Sequence, residues 1–203
     1  MKPIARSLLA IFAVAVFGGC AQSYHPFYTE KSKVKVPELV GEWLKTDNTN
    51  DPPWVCTESN PAEYLVQTFD DGKTSTIKMV TFKIGMNLFC DVTAPDNLGD
   101  QYKMNCYLAG ALVPVHYVSK LDAHANTVAV TPLDREWIRS KVLTNTPALA
   151  VVLGGKDDDL LFTASSEQWE AFLAKYGNDP VAFPTNATGV FKRRPAPTSP
   201  KKS

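Results

Sequence analysis

The stretch from Tyr64 to Lys83 constrains the fold more than any other part of this sequence, because it reads as two strands around one tight turn. Residues 64–69 form the first strand. Asp70-Asp71-Gly72-Lys73 makes the turn, with Gly supplying a positive φ. Residues 74–83 return, rich in Thr, Ile, Met, Val and Phe. The alternation slips between Met79 and Val80, which predicts a bulge or a strand covered on both faces. Gly85 punctuates, and further strands are expected at residues 87–92, 102–108, 111–118, 126–131 and 187–192. Pro114 pushes the third of these toward an edge. Residues 148–153 and 160–164 make a second hairpin around Gly154-Gly155.

Two helices interrupt the strands. Leu133, Trp137, Ile138 and Val142 fall at helical spacing over residues 134–143, with Asp134 near the start. In the second, Ser165-x-x-Gln168 is a capping box, Trp169, Phe172, Leu173 and Tyr176 line one face, and Gly177 stops the helix. This order predicts a mainly β (α+β) antiparallel fold of about eight strands, with two helices covering it. No internal repeat or linker divides residues 37–192, so one domain is expected.

The amino terminus has a different character. A positive start with Lys2 and Arg6 precedes an unbroken apolar run from Leu8 to Phe17, then Gly18-Gly19-Cys20. Ten helical residues span about 15 Å, half the roughly 30 Å hydrocarbon core, so residues 1–19 suit a secretory signal and not a spanning anchor. Phe17-Gly18-Gly19-Cys20 resembles a bacterial lipobox, although Phe17 stands where Leu is more usual. The resemblance implies cleavage before Cys20, a diacylglyceryl thioether on its sulfur, and often an acyl chain such as palmitate on the new amine. Two or three chains on one residue anchor stably. Ala21, where inner-membrane lipoproteins often carry Asp, implies the outer membrane, facing the periplasm. Residues 20–36 are then expected to be a lipidated tether, fourteen or so residues of which reach about 45 Å when extended, with Lys31-Ser32-Lys33-Val34-Lys35-Val36 as an alternating stretch able to pair late as an edge strand.

Without residues 1–19 the 21 basic residues become 19 against 21 acidic, a net charge of −2. Residues 193–203 are expected to be a disordered, basic, Pro-rich tail. No basic excess points to nucleic acid.

Val36-Pro37-Glu38-Leu39-Val40-Gly41-Glu42-Trp43 carries a second resemblance. Leu39, Gly41 and Trp43 match the Leu-x-Gly-x-Trp opening of lipocalins and of smaller lipocalin-like bacterial modules. That resemblance implies a barrel with Trp43 plugging one end.

Three cysteines remain beside Cys20. Cys90 and Cys106 each sit in an alternating apolar stretch, which makes them the candidate disulfide; the alternative is that Cys56, Cys90 and Cys106 are small buried hydrophobes. His25, His116 and His124 lack the close pairing of a zinc site. Asp157-Asp158-Asp159 lacks calcium-loop spacing and reads as a solvated hairpin tip. No nucleotide or serine-hydrolase motif occurs, so neither catalytic residues, metal nor cofactor are expected. The expectation is a non-enzymatic envelope protein, held to the membrane by lipid on Cys20, that binds a small apolar ligand; the alternative is a structural or assembly partner of another envelope protein.

Overall fold

A computed structural model describes residues 21–47, 50–70, 72–144, 149–154 and 159–195. The signal segment 1–19, Cys20 and residues 196–203 of the expected tail lie outside the described residues, as do Asp71, Gly155, Asp157 and Asp158 of the two hairpin tips. In chain order the strands are β1 (Gln22–Ser23), β2 (Gly41–Lys45), β3 (Trp54–Asn60), β4 (Glu63–Asp70), β5 (Lys73–Ile84), β6 (Asn87–Thr93), β7 (Tyr117–Ala123), β8 (Thr127–Pro132), β9 (Val151–Gly154), β10 (Asp159–Phe162) and β11 (Gly189–Arg193). The helices are α1 (Leu98–Gln101), α2 (Cys106–Ala111), α3 (Arg135–Leu143) and α4 (Ser166–Tyr176).

Strands β2 to β8 run in sequence around a closed barrel, and β11 completes it between β8 and β2. All eight pairings are antiparallel. The expected fold class is the observed one. The hairpin at the centre of the sequence is β4–β5, with Asp70 opposite Lys73 and Gly72 at φ 72°. At Met79 and Val80 the register with β4 and β6 is unbroken, and residues 79–82 are all buried. The slip in alternation therefore marks a strand covered on both faces. The irregularity in register lies in β3, between Glu58 and Asn60.

A covered outer wall needs a second layer. Strands β9, β10 and β1 form a small sheet, β1 pairing parallel to β10. This sheet and helices α3 and α4 pack Trp169, Phe162, Phe172, Leu173 and Ile138 against Phe82, Phe89 and Val118 of the barrel wall. Both longer helices start as the sequence dictates. Asp134 accepts the Trp137 N–H, and Ser165 and Gln168 close a reciprocal capping box. Among the described residues no helix is long and apolar enough to cross a membrane.

Three expectations are corrected. Residues 21–36 do not form a free tether, since Ala21, Ser23 and Phe27 are buried; the late pairing expected of the stretch is present as one antiparallel bridge, Lys33 opposite Phe82. Apolar residues spaced among polar ones give that stretch a core-facing side that its overall polarity hides. Residues 102–108 and 111–118 are not two strands, because α2 occupies the middle of that region and β7 begins only at Tyr117. The Asn105 side chain accepts the Leu108 N–H at 2.8 Å, an N-cap that turns an alternating Met-x-Cys-x-Leu pattern into a helix start. The tail also begins later than expected, since Arg193 belongs to β11 and Arg194 pairs with Glu42 at 2.9 Å.

Candidate functional site

The barrel interior is covered by buried side chains at one end and lined by half-buried ones toward the other. At the covered end a 3₁₀ turn, Pro37–Leu39, leads into β2. Leu39 and Trp43 are buried there, and the Trp43 indole N–H donates to the Leu39 carbonyl at 2.8 Å. The guanidinium of Arg193, on the adjacent strand, lies 4.4 Å from the Trp43 ring centroid. It donates to the carbonyls of Val40, Glu38 and Ala125, so it ties the turn before β2 and the loop between β7 and β8 to β11 over the aromatic ring. Gly41 sits at φ 143°, and a Cβ there would collide with the Arg193 guanidinium. Leu39, Gly41 and Trp43 therefore lie together at one end of the barrel. Arg193 joins them there, a placement that only the pairing of β11 with β2 reveals.

Toward the other end Ile77, Val92 and Val130 line the interior while half-buried, and Trp54, opposite Trp43 in the β2–β3 register, leans toward them and donates its indole N–H to the Phe69 carbonyl at 3.3 Å. Trp54 stacks on Phe191 with ring centroids 4.9 Å apart. Between plug and mouth lies an apolar cavity of about 80 Å³, whose walls include Cys56, Met79, Cys90 and Leu121.

Outside the barrel, beneath residues 94–116, a second and larger groove of about 690 Å³ lies between the wall and α1–α2. Tyr28, Lys78, Thr93, Asp96, Leu112 and His116 line it. The Thr93 hydroxyl is buried there without a hydrogen-bond partner. Next to it, buried Asp91 joins the His116 ring at 2.7 Å and accepts the Phe27 N–H at 2.8 Å. Burial pushes the Asp91 carboxyl above its ordinary range, an effect that His116 and the Phe27 N–H partly offset. Burial, with the nearby carboxylates, also pushes the Tyr28 hydroxyl up to about 12. Ser23, His116 and Asp91 are the residue types of a hydrolytic relay, and the fold brings them close. The Ser23 hydroxyl, however, is fully buried, donates to the His25 carbonyl at 2.7 Å, and accepts the Trp169 indole N–H at 2.9 Å. These contacts pin the amino-terminal segment to α4 and β6. Among the described residues no group of three or more His, Cys, Asp or Glu side chains is arranged to hold a metal ion.

The candidate pair Cys90 and Cys106 is not brought together. Cys90 lines the barrel interior, whereas Cys106 is exposed on α2, and no disulfide joins them. The helix replaces the strand that would have turned Cys106 inward. Cys56 is buried, which pushes its thiol up to about 12 and suppresses the thiolate. Alkylation of the folded chain at mildly basic pH is therefore expected to modify Cys106 rapidly and to reach Cys56 and Cys90 only after denaturation. Peptide mapping after timed labelling checks this; slow labelling of Cys106 would contradict its exposure. Compared with protein-family models, curated proteins and solved structures, the chain matches none.

Proposed function

We propose that this chain is a lipid-anchored binding module of the bacterial envelope, whose barrel takes the slender apolar end of a small ligand through its open end. The observation carrying the reading is the interior itself: apolar walls, a Trp43–Arg193 plug at one end, and half-exposed apolar side chains at the other. A cavity of about 80 Å³ is roughly half the size of one that holds benzene. That favours the end of a single straight hydrocarbon chain over a ring or a sugar. Met79 and the thiols of Cys56 and Cys90 give the walls soft, adaptable contacts. The lipobox resemblance at Phe17-Gly18-Gly19-Cys20 supports the anchor, and Ala21 supports the outer membrane as its site. Mass spectrometry of the mature amino terminus tests the anchor; a chain beginning elsewhere than at an acylated Cys20 removes it.

Ligand binding is tested separately. A fluorescent straight-chain fatty acid titrated into the full chain is expected to bind one to one. Cys90→Phe, which fills the cavity, is expected to weaken binding roughly tenfold. A probe that does not respond, together with lipid extracts of the purified protein that contain no bound acyl compound, would reject the binding reading.

A further inference from the structure

We infer that the groove between the barrel wall and α1–α2 is a second ligand site, which takes an uncharged small amide carrying an apolar side chain; the inference stands apart from the barrel cavity and from the anchor. The floor of the groove is a row of polar side chains on the outer face of the wall. Lys78 of β5 lies opposite Thr93 of β6. The β6–β7 register, continued one step past Val92 and Tyr117, sets Thr93 beside His116. Tyr28, from the amino-terminal segment, joins them in the lining. On the α1–α2 side the lining is apolar and includes Leu98, Leu112 and Val113. A volume of about 690 Å³ falls within the range of small-molecule sites.

Three polar atoms in this lining are open to a ligand. The Thr93 hydroxyl is buried with no hydrogen-bond partner, a costly state for a wall residue. Among the described residues, the Tyr28 hydroxyl and Nε2 of His116 have no hydrogen-bond partner either. Their neighbours fix what each can do. Asp91 engages Nδ1 of His116 at 2.7 Å, so the neutral ring keeps Nε2 as an acceptor. Burial first, then the Asp91 charge, pushes the Tyr28 hydroxyl up to about 12, so it stays protonated and donates. The Thr93 hydroxyl donates as well. An acceptor beside two donors matches an amide group, its N–H directed to His116 and its carbonyl to Tyr28 or Thr93. The same lining disfavours a charged ligand. Its two formally charged side chains, Lys78 and Asp96, pair with each other at 3.1 Å, and Glu63 stands 3.9 Å from Lys78. An anion entering here would lose hydration without gaining a free counter-charge.

N-acetyl-leucinamide is the probe, titrated into the full chain at neutral pH and followed by nuclear magnetic resonance. Saturable shifts are expected at Thr93, His116, Leu112 and Val113, with Met79 and Leu121 of the barrel cavity unchanged. N-acetyl-leucine, which differs in carrying a carboxylate, is expected to bind at least roughly tenfold more weakly. Thr93→Val keeps the shape of the side chain and removes the unpaired hydroxyl. It is expected to weaken binding of the neutral probe roughly tenfold without lowering the melting temperature. If Thr93→Val does not fold, Tyr28→Phe carries the same test, because its ring keeps the contact with Phe82 at 5.7 Å between centroids. Absence of shifts at millimolar probe, or shifts confined to the barrel cavity, overturns the inference. Equal or tighter binding of N-acetyl-leucine overturns it too, as does unchanged affinity in a folded variant that lacks the hydroxyl. None of these outcomes bears on the barrel, whose fatty-acid binding is read at other residues.

Discussion

Trp43→Ala is expected to destabilise the barrel by about 3–5 kcal/mol, the range for deleting a buried aromatic side chain. Three losses combine at this position. The indole leaves a cavity against Leu39, its hydrogen bond to the Leu39 carbonyl disappears, and the Arg193 guanidinium loses the ring beneath it. The two amino acids lie on paired strands, Arg193 directly opposite Trp43 in the β11–β2 register. Removing either should therefore weaken the seam where the carboxy-terminal strand closes the barrel. Arg193→Ala alone is expected to cost less, because the guanidinium is only half-buried while its carbonyl partners can turn to water. Urea denaturation of both single variants and the double variant provides the check. A coupling energy near zero would mean that ring and guanidinium stabilise the chain independently and that the plug is not a unit.

This plug also shows how far the sequence could be read. Leu39, Gly41 and Trp43 were recognisable because a short local pattern carries all three. Their physical basis, Gly41 leaving room for Arg193, links positions about as far apart as the chain allows, and no local pattern reports it. The β4–β5 hairpin and the capping box of α4 were legible for the same reason: turn and cap chemistry are decided within a few residues. β3 went unrecognised, since Thr57, Glu58, Ser59 and Asn60 give its outer half a polar face like that of a loop. Residues 102–118 misled in the opposite direction. Their apolar residues alternate as in strands, yet Asn105 starts a helix and the run remains exposed, so pattern and environment disagree there. The barrel cavity could be expected only as a consequence of fold; its small volume follows from side-chain packing, which a sequence does not display.

Trp169→Ala is expected to cost a similar 3–5 kcal/mol, and its consequence for the amino-terminal segment distinguishes it from the plug variant. Trp169 is fully buried on α4, with ring centroids 4.3 Å from Phe27, 5.1 Å from Phe162 and 5.4 Å from Phe172. Its indole N–H holds the Ser23 hydroxyl, so one side chain clamps both β1 and the turn that follows it. Deleting it should free residues 21–33 from the wall well before the barrel unfolds, because the barrel core around Trp43, Tyr64 and Met79 is a separate cluster. Hydrogen exchange followed by mass spectrometry is expected to show lost protection in residues 21–33 and in α4, with β4 and β5 little changed. Trp169→Phe keeps the ring contacts and loses the hydrogen bond, so it should cost only about 1 kcal/mol and leave the segment protected. Uniform loss of protection across the barrel would show instead that the two clusters unfold as one.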